Sequence, residues 1–309
     1  MTTPSNVVSE SQAGTQAAAV PAVFAGARLF LWSIRRELWE YRIVYLTPLI
    51  AAVIFLFSFL IHIINLRRNI HSVASTHETF AVPYELSGAL IMGTALVVGL
   101  YYSLDCLYGE RRDRSILFWK SLPVSDLTAV LSKLTIPLVF IPLFSFAVTI
   151  VTQFLMLLLS SLVLLGSGVS TSELWVHSSF LMFSLILLYH MLLVHGLWYA
   201  PIYGWMLLMS AWSPRAPVVW AILPPFIICG VEKLSLNTTY FLHFIAQRFM
   251  GPDSQPSMSA SMSANQHHHF ASQLIPHHFF TEPGLWFGLV VAAIFVAATV
   301  RLRRYRGPI

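Results

Sequence analysis

Tyr108–Lys133 reads YGERRDRSILFWKSLPVSDLTAVLSK, and Leu134–Leu165, which follows it directly, reads LTIPLVFIPLFSFAVTIVTQFLMLLLSSLVLL. The first stretch is the densest in charge anywhere in the chain; the second contains no charged residue at all. A helix must supply about 20 predominantly apolar residues to cross a bilayer core, and the second stretch exceeds that length. Pro137 and Pro142 near its start predict a kink or a lead-in turn, because proline removes a ladder hydrogen bond and crowds the preceding turn.

The same alternation continues in both directions. Leu46–Ile64, Leu86–Leu107, Leu134–Leu165, Val176–Tyr199, Pro217–Val231 and Gly284–Val300 are the stretches that read as spans. The fifth is short and carries Pro224–Pro225, which predicts a broken outer end shielded by protein. The expected fold is therefore an all-α integral membrane protein with six transmembrane helices. Composition agrees: 57% of the 309 residues are hydrophobic, 10% are charged, and mean hydropathy is +0.71, whereas soluble domains carry about 25% charged residues. The formal charge of +5 does not indicate nucleic acid, because the basic residues sit at the ends of apolar runs, where membrane orientation accounts for them.

Arg28, Arg35, Arg36, Arg42, Arg111, Arg112, Arg114, Lys120, Lys133, Arg215, Arg301, Arg303, Arg304 and Arg306 fall on one side of that layout. Arg67, Arg68, Lys233 and Arg248 fall on the other. The positive-inside rule then places both termini in the cytoplasm, as in a multi-pass protein of a cell membrane, such as the bacterial inner membrane. Cys106 and Cys229 lie near opposite faces, too far apart to be bridged. Residues 1–22 are rich in Ser, Thr, Ala and Gln, with neither a basic start nor an apolar core, and read as a disordered tail rather than a signal peptide. Residues 307–309 form a second tail.

Residues 23–43 precede the first span. Arg28, Arg35 and Arg42 alternate with Trp32 and Trp39 along one stripe, while Ala27, Leu31, Ile34 and Leu38 line another. This pattern predicts an interfacial helix, with acyl chains on one side and anionic headgroups on the other. It is either a membrane-surface anchor or an element that transmits motion to the first span. Between spans five and six, residues 232–283 form an external segment in which Tyr240–Met250 has the spacing of a short amphipathic helix.

The charged segment suits docking to a soluble partner. Its apolar Ile116, Leu117, Phe118 and Trp119 can fill a groove, while charges fix register. Pro123 stops one helix, and Ser125 or Asp126 can cap the next. Glu110, Ser121-Leu122-Pro123-Val124-Ser125 and Lys133, placed after a second span and before a third, resemble the type-2 ABC transporter permeases. The likeness extends to the interfacial helix, the six spans, the cytoplasmic termini and the short helical element in the last external loop, from Val23 to Arg306. The external loop, rich in His and Met, departs from the pattern. The resemblance implies the membrane subunit of an ATP-driven exporter, with no enzymatic activity of its own and no cofactor in this chain. It implies two copies of a separate ABC ATPase subunit that carry ATP and Mg, and a second permease subunit in a homodimer. It also implies an ATPase-coupling role for Glu110, Arg111, Arg112, Asp113, Phe118, Trp119 and Pro123. No G-x-x-x-x-G-K-[ST] sequence occurs, so the chain cannot cradle nucleotide phosphates by that route.

Polar residues within spans are costly. Gln153, one turn beyond Thr149, and His190, beside Tyr189 and before His195, either line a path or hold helices together by hydrogen bonds. His267, His268 and His269, with His277, His278, Met258 and Met262 nearby, are weak metal candidates without regular ligand spacing. Glu232 beside Lys233, and Glu282 before Pro283, read as interface charges or helix-start residues. No constellation for nucleophilic or metal-dependent catalysis appears. The alternative to a permease is a non-transporting membrane scaffold or mechanotransmitter that regulates an external partner.

The orientation is testable by labelling. With Cys106 and Cys229 replaced by Ala, a Ser261→Cys variant should react with an impermeant thiol reagent in intact cells, and Ser115→Cys should not. The reverse pattern would overturn the topology.

Overall fold

A computed structural model describes residues 22–68, 76–121, 124–164, 184, 187–250 and 279–306. All elements among these residues are helical. They run in order α1 Ala22–Glu40, α2 Ile43–Arg68, α3 Thr76–Arg112, α4 Ser115–Ser121 and α5 Asp126–Thr135, then a π-helical segment Ile136–Phe140 that leads into α6 Ile141–Leu164. A second π-helical segment, His190–Trp198, precedes α7 Ala200–Trp212, α8 Pro217–Leu236, α9 Tyr240–Met250, a 3-10 turn at Phe279–Thr281, and α10 Pro283–Tyr305. Among the described residues, five helical stretches are long and apolar enough to cross a membrane, or six if the bent pair Leu187–Trp198 and Ala200–Trp212 forms one span. This is what a multi-pass membrane protein requires.

Several boundaries differ from those expected. α3 continues well past Leu107, so Glu110, Arg111 and Arg112 lie in its last turns rather than in a loop. The third stretch is helical from Asp126 onward, and its proline irregularity takes the form of the π segment around Pro137. The fifth stretch is not broken. α8 passes straight through Pro224 and Pro225 to Leu236, ending where Asn237 adopts the left-handed conformation that commonly closes helices. Two interior prolines cost two ladder bonds and crowd the preceding turn, and α8 stays helical through both.

The fourth stretch is shifted furthest. Residues 176–183, 185 and 186 of Val176–Tyr199 lie outside the described residues, and the apolar helix does not stop at Tyr199 but resumes as α7 after a bend of 48°. Pro201, in the first turn of α7, explains the break, since a proline there starts a helix and cannot continue one. The gap of 200–216 between the fourth and fifth expected spans shrinks to residues 213–216. The short helix between the fifth and sixth stretches, by contrast, spans Tyr240–Met250 as its periodicity predicts. Its start is fixed by Glu232, whose carboxylate accepts from Tyr240 N (2.6 Å), Phe241 N (2.9 Å) and Thr238 Oγ1 (2.9 Å). Glu232 is thus a helix-start residue. Glu282 likewise occupies the cap position of α10.

α7 packs between α3 and α10. Gly204 permits the approach to α10, since a Cβ there would lie 3.4 Å from Phe295 Cβ and 3.5 Å from the Ala292 carbonyl oxygen, the small-residue contact by which membrane helices come close. The central core joins Val44, Val98, Tyr102, Cys106, Ile136, Ile141 and Leu207. The two π segments meet at Gly196, where a Cβ would stand 2.9 Å from the Leu138 carbonyl oxygen. Backbone cannot swing aside as a side-chain tip can. Gly196→Ala should therefore destabilise the purified protein by about 1–3 kcal/mol, the usual cost of overpacking, seen as a lower melting temperature in detergent. Gly93→Ala, with open space around it, should melt like the parent.

Candidate functional site

The charged segment folds back on itself in three steps. α3 ends at Arg112, and Asp113 N closes on Gly109 O (2.9 Å). Arg114 then turns the chain with φ 58°, a left-handed conformation uncommon outside glycine. α4 follows, and α5 starts where Ser125 Oγ accepts from Thr128 N at 3.1 Å, the N-cap expected of it. Pro123 lies outside the described residues.

These turns bring together side chains that are remote in sequence. Glu110, at the end of α3, and Lys133, in the last turn of α5, approach to 3.1 Å. Lys133 Nζ donates to both carboxylate oxygens of Glu37 on α1 (2.9 Å each) and to the Cys106 carbonyl (3.1 Å). Arg303, on α10, donates to Glu110 Oε2 at 2.5 Å and lies 3.3 Å from Asp126 Oδ1. Arg36 bonds Glu110 Oε1 at 2.9 Å and also pairs with neighbouring Glu37. Tyr102 donates its hydroxyl to Glu37 Oε2 at 2.9 Å. Glu37, Glu110 and Lys133 are 1%, 2% and 1% exposed.

The cluster is therefore an ion knot that joins α1, α3, α5 and α10, with Arg36, Lys133 and Arg303 facing Glu37, Glu110 and Asp126, and with Glu40 at its edge 3.9 Å from Arg36. Burial works against the charge on Arg36, but the carboxylates of Glu37 and Glu110 outweigh it and raise its pKa above the ordinary arginine value.

The residues predicted for coupling divide. Glu110 belongs to the knot and is not a surface charge. Arg111, expected as an exposed register-setting charge, is also buried: its guanidinium donates to Ala211 O (2.7 Å) and Ser213 O (3.0 Å), clamping the end of α7. Arg112 and Asp113 are exposed and pair with each other at 3.0 Å. Leu117 and Phe118 face outward, 59% and 60% exposed. Trp119 turns inward from them, and the Arg36 guanidinium lies over its ring at 3.7 Å. α4 thus presents one face outward and rests the other on the knot.

Of the path candidates, Gln153 is buried and donates to Tyr84 O at 3.2 Å, bridging α6 to α3, while its carbonyl oxygen has no hydrogen-bond partner. His190 is half-buried at the start of the second π segment. His195 is fully buried, its Nε2 2.9 Å from the Tyr203 hydroxyl. Among the described residues no group of His, Cys, Asp and Glu could hold a metal ion; His267, His268 and His269 lie outside them. The two cysteines are free.

Glu37, Asp126, Tyr102 and Arg303 were not anticipated as site residues. The chain has only 13 acidic residues, and Glu37 interrupts the apolar side of α1 between Ile34 and Leu38. A lone carboxylate on an inward face implies a buried cation elsewhere, which is the signal that could have found it. α1 docks through that same face, with Ile34 and Leu38 packed on the central core while Trp32 and Trp39 are exposed. Against known proteins, the chain matches no family model, no curated protein and no solved structure.

Removing one partner of a buried ion pair strands the others. Lys133→Met should cost about 3–5 kcal/mol, read as a large drop in melting temperature in detergent, whereas Arg112→Met, at the exposed pair, should leave it unchanged. Equal melting of Lys133→Met and the parent would show that the knot holds nothing together.

Proposed function

We propose that this chain is the membrane subunit of an ATP-driven exporter of the type-2 ABC class, with six spans and cytoplasmic termini, and that α4 is its docking element for a separate ATPase. The observation that carries the reading is the two-faced α4. Leu117 and Phe118 are offered to the outside on a short helix whose inner face rests, through Trp119 and Arg36, on an ion knot reaching α1, α3, α5 and α10. A bare topology anchor needs positive charge and nothing more. An energy coupler needs an exposed apolar contact with a stiff connection behind it, and α4 has both.

In this reading ATP and Mg are bound by two ATPase subunits and substrate passes along a path formed with a second copy of this chain. α8 offers the second copy a surface: of its side chains only Ala221 is buried, while Val218, Val219, Ile222, Phe226 and Ile227 face outward. Gln153 acts as helix glue within one copy.

The test separates the neighbouring aromatics. Co-expressed with its ATPase, the chain should copurify as a two-plus-two complex. Phe118→Ala removes a docking side chain, and such losses cost roughly 2–4 kcal/mol, about 30- to 1,000-fold in association. Trp119→Ala should retain the ATPase yet lose substrate-stimulated hydrolysis, because it loosens the seat and not the contact. Normal binding and transport by Phe118→Ala, Trp119→Ala and the double variant, or robust ATP hydrolysis by the isolated chain, would refute the proposal.

A further inference from the structure

Beside the knot, α1, α4, α5 and α10 enclose an open cleft of about 570 Å³. Its walls include Trp32, Trp39 and Trp119, together with Ser33, Arg35 and Lys120. The other ionic groups lining it are committed elsewhere: Arg36 and Arg303 to Glu110, and Asp126 to Arg303. Arg35 and Lys120 are different. Arg35 lies over the rings of Trp32 and Trp39 at 5.5 and 5.8 Å. Lys120 Nζ donates to backbone oxygens of Arg304 and Arg306 at 3.5 and 3.2 Å. Neither has a carboxylate partner among the described ion pairs.

We infer that this cleft binds an anionic phospholipid, with its phosphate between Arg35 and Lys120 and its glycerol and upper acyl carbons against the tryptophans. Charge complementarity selects an anion, since among the described ion pairs no acid is matched to Arg35 or Lys120. The aromatic walls select an amphiphile over a free ion, because indole rings favour the depth where headgroup meets acyl chain. Position selects a membrane source. Trp32 and Trp39 are exposed on α1, and the exposed surface continues directly through Ile43 and Leu46 onto α2, an apolar helix long enough to span a bilayer. Leu117 and Phe118, the outward apolar residues of α4, do not line the cleft, so occupancy by lipid and docking of a protein on α4 do not compete for the same side chains.

The inference rests on the membrane placement of the chain and not on the permease proposal, so its test uses the isolated chain with no ATPase present. Purified protein in detergent is titrated with dioleoylphosphatidylglycerol or dioleoylphosphatidylcholine, and bound lipid is counted by native mass spectrometry. The parent should bind the phosphatidylglycerol at least tenfold more tightly. Arg35→Gln/Lys120→Gln should weaken it about 30-fold, the effect typical of two basic residues at an anionic surface, and leave phosphatidylcholine binding unchanged. Ser33→Glu, which puts a carboxylate into the cleft without removing a cation, should give the same loss, so the result does not depend on one variant folding. Arg28→Gln/Arg42→Gln makes the same charge change outside the cleft lining and should bind like the parent. Equal binding of the two lipids, an equal loss in the Arg28/Arg42 control, or displacement by millimolar inorganic phosphate would each overturn the assignment; the last would point to a free phosphate.

Discussion

Lys133 is a primary amine with almost no access to water, held between Glu37 and Glu110. Taking such charges out of water costs several kcal/mol per ion, and their mutual attraction repays it only with good geometry and with the remaining donors and acceptors satisfied. Here the Cys106 carbonyl, the Tyr102 hydroxyl and the guanidinium groups of Arg36 and Arg303 supply the further partners of Lys133, Glu37 and Glu110, while Nε of Arg36 and Nε of Arg303 stay without a hydrogen bond. Apolar residues of similar volume would often stabilise a helix junction as well. What an ion knot adds is register: Lys133 meets both carboxylates only if α1, α3 and α5 stand at one height and rotation relative to each other. Arg303 then ties the end of α10 to the same point.

The surroundings follow from that constraint. α1 is amphipathic enough to lie in a membrane surface, but Glu37 on its inner side cannot face acyl chains, so the helix docks on the protein and turns Trp32 and Trp39 outward. α3 must extend past its apolar stretch to deliver Glu110, which carries Arg111 into reach of the Ala211 and Ser213 carbonyls. That contact fixes the end of α7. The charged segment is thus less a loop than the place where the ends of α3, α7 and α10 are fastened together.

Much of this architecture was legible in the sequence, and the failures have specific causes. Runs without charge marked the apolar helices, and three-to-four-residue spacing found Tyr240–Met250 outright. Proline misled in one place and went unread in another. Pro224–Pro225 suggested a break that an otherwise intact helix absorbs, while Pro201 marks a restart inside the stretch left between the fourth and fifth expected spans. The site was half visible. Glu110 and Lys133 stood out by position, but charge density alone cannot tell a solvated cation from a buried one, so Arg111 read as an exposed docking charge and Arg303 as a topology signal. Their partners are backbone carbonyls and a carboxylate far along the chain, which no local pattern encodes.

Phe118 and Trp119 show how adjacent residues come to do opposite work. Successive helical residues point about 100° apart, so on a helix as short as α4 one can face outward while the next faces the knot, their rings meeting edge to face at 4.9 Å. A push on Phe118 reaches Trp119 through that contact, Arg36 through the stacked guanidinium, and then Glu110 and Glu37 through ion pairs of 3.1 Å or less. The ion pairs among these joints cannot lengthen much without stranding the buried carboxylates of Glu37 and Glu110, a penalty of several kcal/mol per ion. Tilting α4 therefore costs less if α1 and the basic end of α10 move with it than if they stay behind. In the proposed docking role, this would tie the outward face of α4 to α2 through the short connection after α1, and to α10 through Arg303.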